Sequence, residues 1–592
     1  MAPPADATTP RHPLRWLAVA AGCVAVIVGG WALSTAGALD RNPGWTADSG
    51  PVIAWGLPLA RLLAQSCAVL TIGFLLGCLL FAPTGPDGAL SAVARRHAGL
   101  AGATAGGWAV ASFCQLWFTA ADLTGVGAAG VRISAFTDIA QYTLQGRALL
   151  IAIVAATAVQ LCLRVARRPP AALAALLVAV GGTLPFAFTG HAATSGDHNT
   201  ATTSLAVHIL ASSLWVGGLV ALLGHARWDP TGLPRAARRF SGLALLCFLA
   251  VAGTGALNAW LRMGSFEALV TSDYGLLVQL KALALVALAA AGWWHRERTL
   301  PAMTSPLPGE RRLFPRFAAA EIVVMAASLA LATALGRSIP PRVPGTGGHS
   351  ISEMLLGYAM PAPPTVERLL FDWRPDLFFA AGCLVAVICY LLGVKRLRQT
   401  PPGWPLRRTL CWLAGVLLLV AATSSGLARY GPVLFSVHLG QHLLVAVAAP
   451  ILLVLGAPAT LARRALPASH DARYPGAREW LNAARSSRAA RLLIRPPVAT
   501  TLWIAGAYVP YVTGGYEYAL RNHPAHLAMY TFFIASGCLF FGSLLRSDAS
   551  PSRSAQPARW AGLLAALVGH AVLGIVVIRT SDPFAAAWFA EL

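Results

Sequence analysis

Charge is scarce in this chain. Asp, Glu, Lys and Arg make up 11% of its 592 residues, where a soluble domain carries roughly 25%, so a water-facing surface of that size could not be clothed. Cysteine pairs are missing as well. The ten Cys stand singly inside apolar stretches with no Cys-x-x-Cys, which argues against a thiolate metal centre and a disulfide framework. Met is sparse at seven and never forms Met-x-x-Met, so a Met ladder for a soft metal is not expected. The chain has no phosphate-binding Gly loop, no Asp-Lys-Thr-Gly, no His-Glu-x-x-His, no nucleophile elbow and no acidic pair in an apolar run. Neither a nucleotide-driven pump nor an enzyme is expected.

Hydrophobicity is what the chain has in quantity, with 56% apolar residues. Apolar runs of about 20 residues recur along its length, each able to cross a hydrocarbon core of roughly 30 Å as a helix. Lipid offers no partner to an exposed backbone amide, so helices are the expected form. The expected fold is all-α: a polytopic transmembrane helical bundle of about 15 spans, nine in a first module and six in a second. The first run follows a Pro/Ala/Thr-rich start and lacks a small-residue cleavage site, so it is expected to be a retained helix, not a signal peptide.

Loop charge tests that count. Alternate loops carry Arg95 and Arg96, then Arg164, Arg167 and Arg168, then Arg227, Arg235, Arg238 and Arg239, then Arg296, Arg298, Arg311, Arg312 and Arg316. The same side continues with Lys395, Arg396, Arg398, Arg407 and Arg408, eight Arg between 463 and 495, and Arg546, Arg553 and Arg559. By the positive-inside rule the N-terminus is expected to be cytoplasmic and the C-terminus extracytoplasmic. The net charge of +22 therefore reads as topology, and no nucleic-acid partner is expected. A Pro- and Gly-rich stretch near 338–374 separates the modules, giving residues 1–340, an extracytoplasmic linker over 341–374, and 375–592.

With this topology most of the fourteen His fall on the extracytoplasmic side. His438 and His442, four apart at the outer end of the twelfth helix, share a helical face suited to one metal ion. His523 and His526 open the fourteenth helix, and Met529 follows within a turn. His570 lies deeper in the last helix, where an ionisable group is costly and a functional candidate. In the first module His191 closes the fifth helix and His208 opens the sixth. Imidazole suits copper, zinc, iron and nickel alike, and two imidazoles can also ligate haem. His12, His97, His225, His295 and His470 lie in or beside Arg-rich loops, where a solvated or snorkelling position is expected.

Some of these residues sit in recognisable strings. His208 ahead of Trp215-Val-Gly217-Gly218-Leu219, Tyr274-Gly275 ahead of Lys281, and Gly190-His191-Ala192 resemble the copper resistance protein D (CopD) family over most of 50–340. His438-Leu-Gly-Gln441-His442, followed by Pro450, Gly456 and Pro458, resembles the CtaG family of cytochrome c oxidase assembly factors. His526-Leu-Ala-Met529 and Gly569-His570 match that family's later segments, while Tyr530 and Phe532 stand where a further His would be expected. The two resemblances together imply a bacterial plasma-membrane protein of copper transport and homeostasis. Its first part would take up or pass copper, and its second would help supply copper to a haem–copper oxidase during assembly. Copper ions, oxidase subunits and an extracytoplasmic copper chaperone are the implied partners. A haem-binding electron-transfer protein and a metal-free assembly scaffold are the alternatives.

Two features of the strings carry a structural expectation. Gly217-Gly218 is expected to let a neighbouring helix approach closely. Pro450 and Pro458 are expected to kink the twelfth helix or free backbone carbonyls.

Overall fold

Apolar composition and lipid's lack of hydrogen-bond partners make the chain helical, and no strand occurs among the described residues. The computed structural model describes residues 13–35, 49–85, 87–189, 198–303, 313–338, 340–341, 350–398, 402–545, 556–580 and 584–592. The chain divides into two compact units, Met1–Thr346 and Gly347–Leu592.

The long helices of the first unit are α1 (Pro13–Thr35), α2 (Pro51–Leu76), α3 (Ala92–Thr124), α4 (Leu144–Val165) and α5 (Pro169–Thr183). They continue with α6 (His198–Trp228), α7 (Leu233–Met263), α8 (Asp273–Trp294) and α9 (Leu313–Leu335). Their ends follow ordinary capping chemistry. The Ser91 hydroxyl accepts from the Ala94 amide at 3.2 Å and the Ser272 hydroxyl from Gly275 at 3.0 Å, while Gly125 ends α3 in the left-handed region. The expected close approach is present: Gly217 of α6 lies against Gly73 of α2, where a Cβ on Gly217 would sit 2.9 Å from the Gly73 nitrogen. Trp215, on the same helix, meets Phe248 edge-on at 5.7 Å.

In the second unit the long helices are α10 (Leu377–Leu397), α11 (Leu406–Ser424), α12 (Phe435–Leu443), α13 (Pro496–Val512), α14 (His523–Leu544) and α15 (Gln556–Arg579). Helix α12 runs on through a π turn, Leu444–Ala448, into Ala449–Leu455. Residues 350–376 form two short helices, Ile351–Leu356 and Val366–Phe371, and belong to this unit. Arg429 pairs with Asp372, the Tyr430 hydroxyl donates to the Ala362 carbonyl at 2.5 Å, and Arg374 lies over the Tyr358 ring at 4.4 Å.

Among the described residues, thirteen helices are long and apolar enough to cross a membrane. Helices α3 and α13 fall outside that set. Helix α13 has 17 residues, and α3 is diluted by Gly, Thr and Arg while packing on α2 and α4, where helix neighbours rather than lipid set composition. The chain is an all-α multi-pass membrane protein.

All three π turns among the described residues, Gly77–Phe81, His295–Thr299 and Leu444–Ala448, lie beside buried histidines. A π turn adds one residue to a helical turn and is common at functional sites.

Candidate metal centre

In the second unit, α12, α14 and α15 bring four imidazoles into one series beside aromatic residues of α13. His438 and His442 are both buried. The His438 Nε2 is 3.0 Å from the Tyr511 hydroxyl, and its ring lies 4.3 Å from Tyr516. Tyr530 occupies the space where the family pattern suggested a further His. Its hydroxyl donates to Gln441 Oε1 at 2.5 Å, and the Gln441 amide nitrogen donates to the Ala422 carbonyl at 2.6 Å. The His526 ring rests 4.3 Å from Tyr530.

Deeper in the unit, His442 faces His570 with ring centres 6.5 Å apart. Phe533 meets His442 edge-on at 4.3 Å, and Trp503 stacks on His570 at 4.4 Å. Pro450 helps to set this arrangement. It has no N–H for the Ala446 carbonyl four residues back, and the Trp503 indole donates there instead at 3.0 Å. The freed carbonyl thus anchors the ring on which His570 stacks.

Both ring nitrogens of His442 are enclosed without a hydrogen-bond partner, and the His570 ring has only the Ala566 carbonyl, one turn back, within reach. A buried donor or acceptor left unpaired costs about 1–3 kcal/mol. His438, by contrast, is already held by Tyr511. No group of three or more His, Cys, Asp or Glu is placed to hold a metal among the described residues. The expected convergence on one site is therefore a series of pairs, because the tyrosines separate His526 from His438. His523 is turned to Asp376, 4.0 Å away, and Met529 belongs to the apolar core.

In the first unit His191 lies outside the described residues. His208 Nδ1 is 3.0 Å from the Thr254 hydroxyl, which itself donates to the Ala250 carbonyl. The hydroxyl oxygen therefore accepts from Nδ1–H, leaving Nε2 as the available atom.

Three histidines expected to be solvated or snorkelling are instead buried. His97 and His225 are fully enclosed and stacked, with Nε2 of one 3.4 Å from Nδ1 of the other, and Asp229 Oδ2 lies 3.8 Å from His225 Nε2. Gly77 leaves the room, since a Cβ there would come within 2.7 Å of the His97 ring. His295 pairs with Glu321 of α9 at 2.8 Å. The helices run on past the apolar stretches, carrying these side chains into packed interfaces. Glu321 drew no notice in the sequence, although a lone carboxylate in an apolar run is itself a signal.

Residues 52–200 match the copper resistance protein D-like N-terminal domain, 234–335 match copper resistance protein D, and 388–592 match the cytochrome c oxidase caa3 assembly factor family. The Mycobacterium bovis protein Mb0105 is 30% identical over 92% of this chain and 80% of its own length. The chain belongs to that family, a CopD-like part fused to a CtaG-like domain. The Mycobacterium leprae protein ML1998 is 28% identical over 98% of the chain and 86% of its own length. A Bacillus subtilis protein named copper transport protein CutJ is 32% identical over 21% of the chain and 24% of its own length. No solved structure matches.

Proposed function

We propose that this fusion protein handles copper at the bacterial plasma membrane. It would act without catalysis, taking up or transferring copper and supporting its delivery to a haem–copper cytochrome c oxidase during assembly. The CopD-like and CtaG-like parts and the relative named for copper transport support the metal's identity. Copper ions are the cargo; oxidase subunits or an extracytoplasmic copper chaperone would receive or supply them.

The observation that carries the reading is the His442–His570 pair. Two imidazole nitrogens on opposite sides of one ion, at metal–nitrogen distances of about 2.0–2.1 Å, set the ring centres about 6.4 Å apart. The observed ring-centre separation of 6.5 Å is of that size. Carbon-only neighbours such as Phe533 favour a cation of low charge, because a divalent ion would keep more of its desolvation cost. Two-coordinate cuprous ion meets both conditions. A haem would need a slot the width of its macrocycle, and Phe533 and Trp503 stand against the two rings.

Metal analysis and an absorption spectrum of detergent-purified protein test the proposal. Wild type should bind copper with no Soret band, and His442→Leu or His570→Leu should lose it. Copper content unchanged in both variants would remove this site from consideration; a Soret band would favour the haem reading.

A further inference from the structure

Glu321 is a carboxylate in the interior of a candidate span, eight residues inside α9, or about 12 Å from its start. The other carboxylates in candidate spans are Asp273, the first residue of α8, and Glu297, in the π turn that follows it. Such a group is expensive in a membrane and is retained where charge or protons move. Its partner is His295, with Nε2 2.8 Å from Oε1 and the two residues 9% and 8% exposed.

The hydrogen bonds define how many protons the pair holds. The Thr299 hydroxyl donates to the His295 carbonyl at 3.1 Å, so its oxygen accepts from His295 Nδ1–H at 2.6 Å. With Nδ1 protonated, Nε2 and Oε1 approach to 2.8 Å outside hydrogen-bond alignment, and a proton on one of the two atoms is needed to relieve the repulsion of their facing lone pairs. The dyad is neutral with that proton and carries one negative charge without it.

Both residues line a cavity of about 250 Å³ between α6, α7, α8 and α9. Among the described residues its only other charged or titratable lining group is Arg296, whose guanidinium donates to the Ser241 carbonyl at 2.6 Å and hydroxyl at 3.1 Å. Helices α6 and α7 contribute uncharged residues such as Trp215, Phe240 and Ser241. A deprotonated dyad would thus be an anion in mostly apolar surroundings, a costly state unless a cation replaces the proton.

We propose that His295–Glu321 is a proton-binding dyad through which the first unit exchanges one proton for one univalent metal cation. The bond from the proton to Nε2 or Oε1 breaks, the proton passes to water at the Arg-rich end, and the arriving cation restores neutrality. No electron is transferred. The proposal rests on the reading that the first unit moves copper.

Full-length protein in vesicles loaded with a pH-sensitive dye provides the test, with silver ion as a redox-inert univalent probe. Wild type should move silver with an opposite proton signal. Glu321→Gln keeps the shape and an acceptor for Nε2–H, so a mere strut between α8 and α9 would survive it. In that variant the proton signal should fall by at least about tenfold, the loss expected when a proton-carrying group is removed. Glu321→Asp should recover part of it. Silver movement without a proton signal, or a signal that persists in Glu321→Gln, would overturn the dyad and leave the copper reading standing. Wild-type vesicles that move no silver would overturn cation transport by the first unit, and the coupling with it.

Discussion

Replacing His442 separates a ligand from interhelical glue, because the two roles give opposite stability changes in metal-free protein. Leu has nearly the volume of His, so His442→Leu leaves little void against Phe533 and Tyr511. It removes two buried nitrogens that have no partner, relieving about 1–3 kcal/mol. It also forfeits the edge-on contact with Phe533, worth about 0.5–1.5 kcal/mol. The net expectation is unchanged or slightly raised stability. His438→Leu behaves differently, since it strips the Tyr511 hydroxyl of its partner and should cost about 1–3 kcal/mol. Unfolding in detergent, followed by intrinsic fluorescence, should rank the apo proteins with His442→Leu at or above wild type and His438→Leu below. Titration of cuprous ion against a chromogenic chelator should give the reverse emphasis. His442→Leu and His570→Leu should lose more than the roughly 10–100-fold that an outer-shell change costs, and His438→Leu should lose less. A metal-free His442→Leu clearly less stable than wild type would refute the reasoning, as would one that keeps its copper affinity.

Other expectations rest on single contacts. Trp503→Phe should cost about 1–3 kcal/mol by stranding the Ala446 carbonyl, and Pro450→Ala should recover part of that by restoring an amide, a coupling measurable in a double-mutant cycle. Gly217→Ala should lower the yield of folded protein and cost at least about 1–3 kcal/mol, whereas Gly22→Ala, with nothing within 4 Å, should be neutral; thermal unfolding in detergent compares them. Between α12 and α13, Glu479 in the first turn of a short helix, Ala477–Ser486, accepts from the Gly476 amide at 2.8 Å and the Ser469 amide at 3.1 Å, and these bonds hold its carboxyl below the usual range. A lowered carboxyl stabilises this segment above the unfolded value and loses that effect as pH falls through the folded one. Hydrogen exchange across 469–480 should therefore accelerate in acid, and less so in Glu479→Ala.

Much of the site could be read along the helices. The four-residue step between His438 and His442 puts both on one face whatever packs there, and both are buried. The Gly217 approach was equally legible, because only a residue without Cβ admits a backbone at that distance. His97, His225 and His295 were misplaced for one reason: hydropathy marks where lipid begins, not where the protein interior ends. Beyond the apolar run a helix can stay packed on its neighbours, and polar groups there meet one another instead of water.

The sequence by itself determined a helical membrane protein, the concentration of Arg in alternate loops, and which side chains share a face within each helix. Only the tertiary structure decided which faces meet. It put His570 opposite His442 and left His438 to Tyr511, and it brought Glu321 to His295. The physical reason is that periodicity acts within one helix, whereas these meetings depend on how helices are rotated against one another. A single π turn rotates the remainder of its helix by about 100°. Three such turns lie beside the histidine groups, and hydropathy along the chain does not register them.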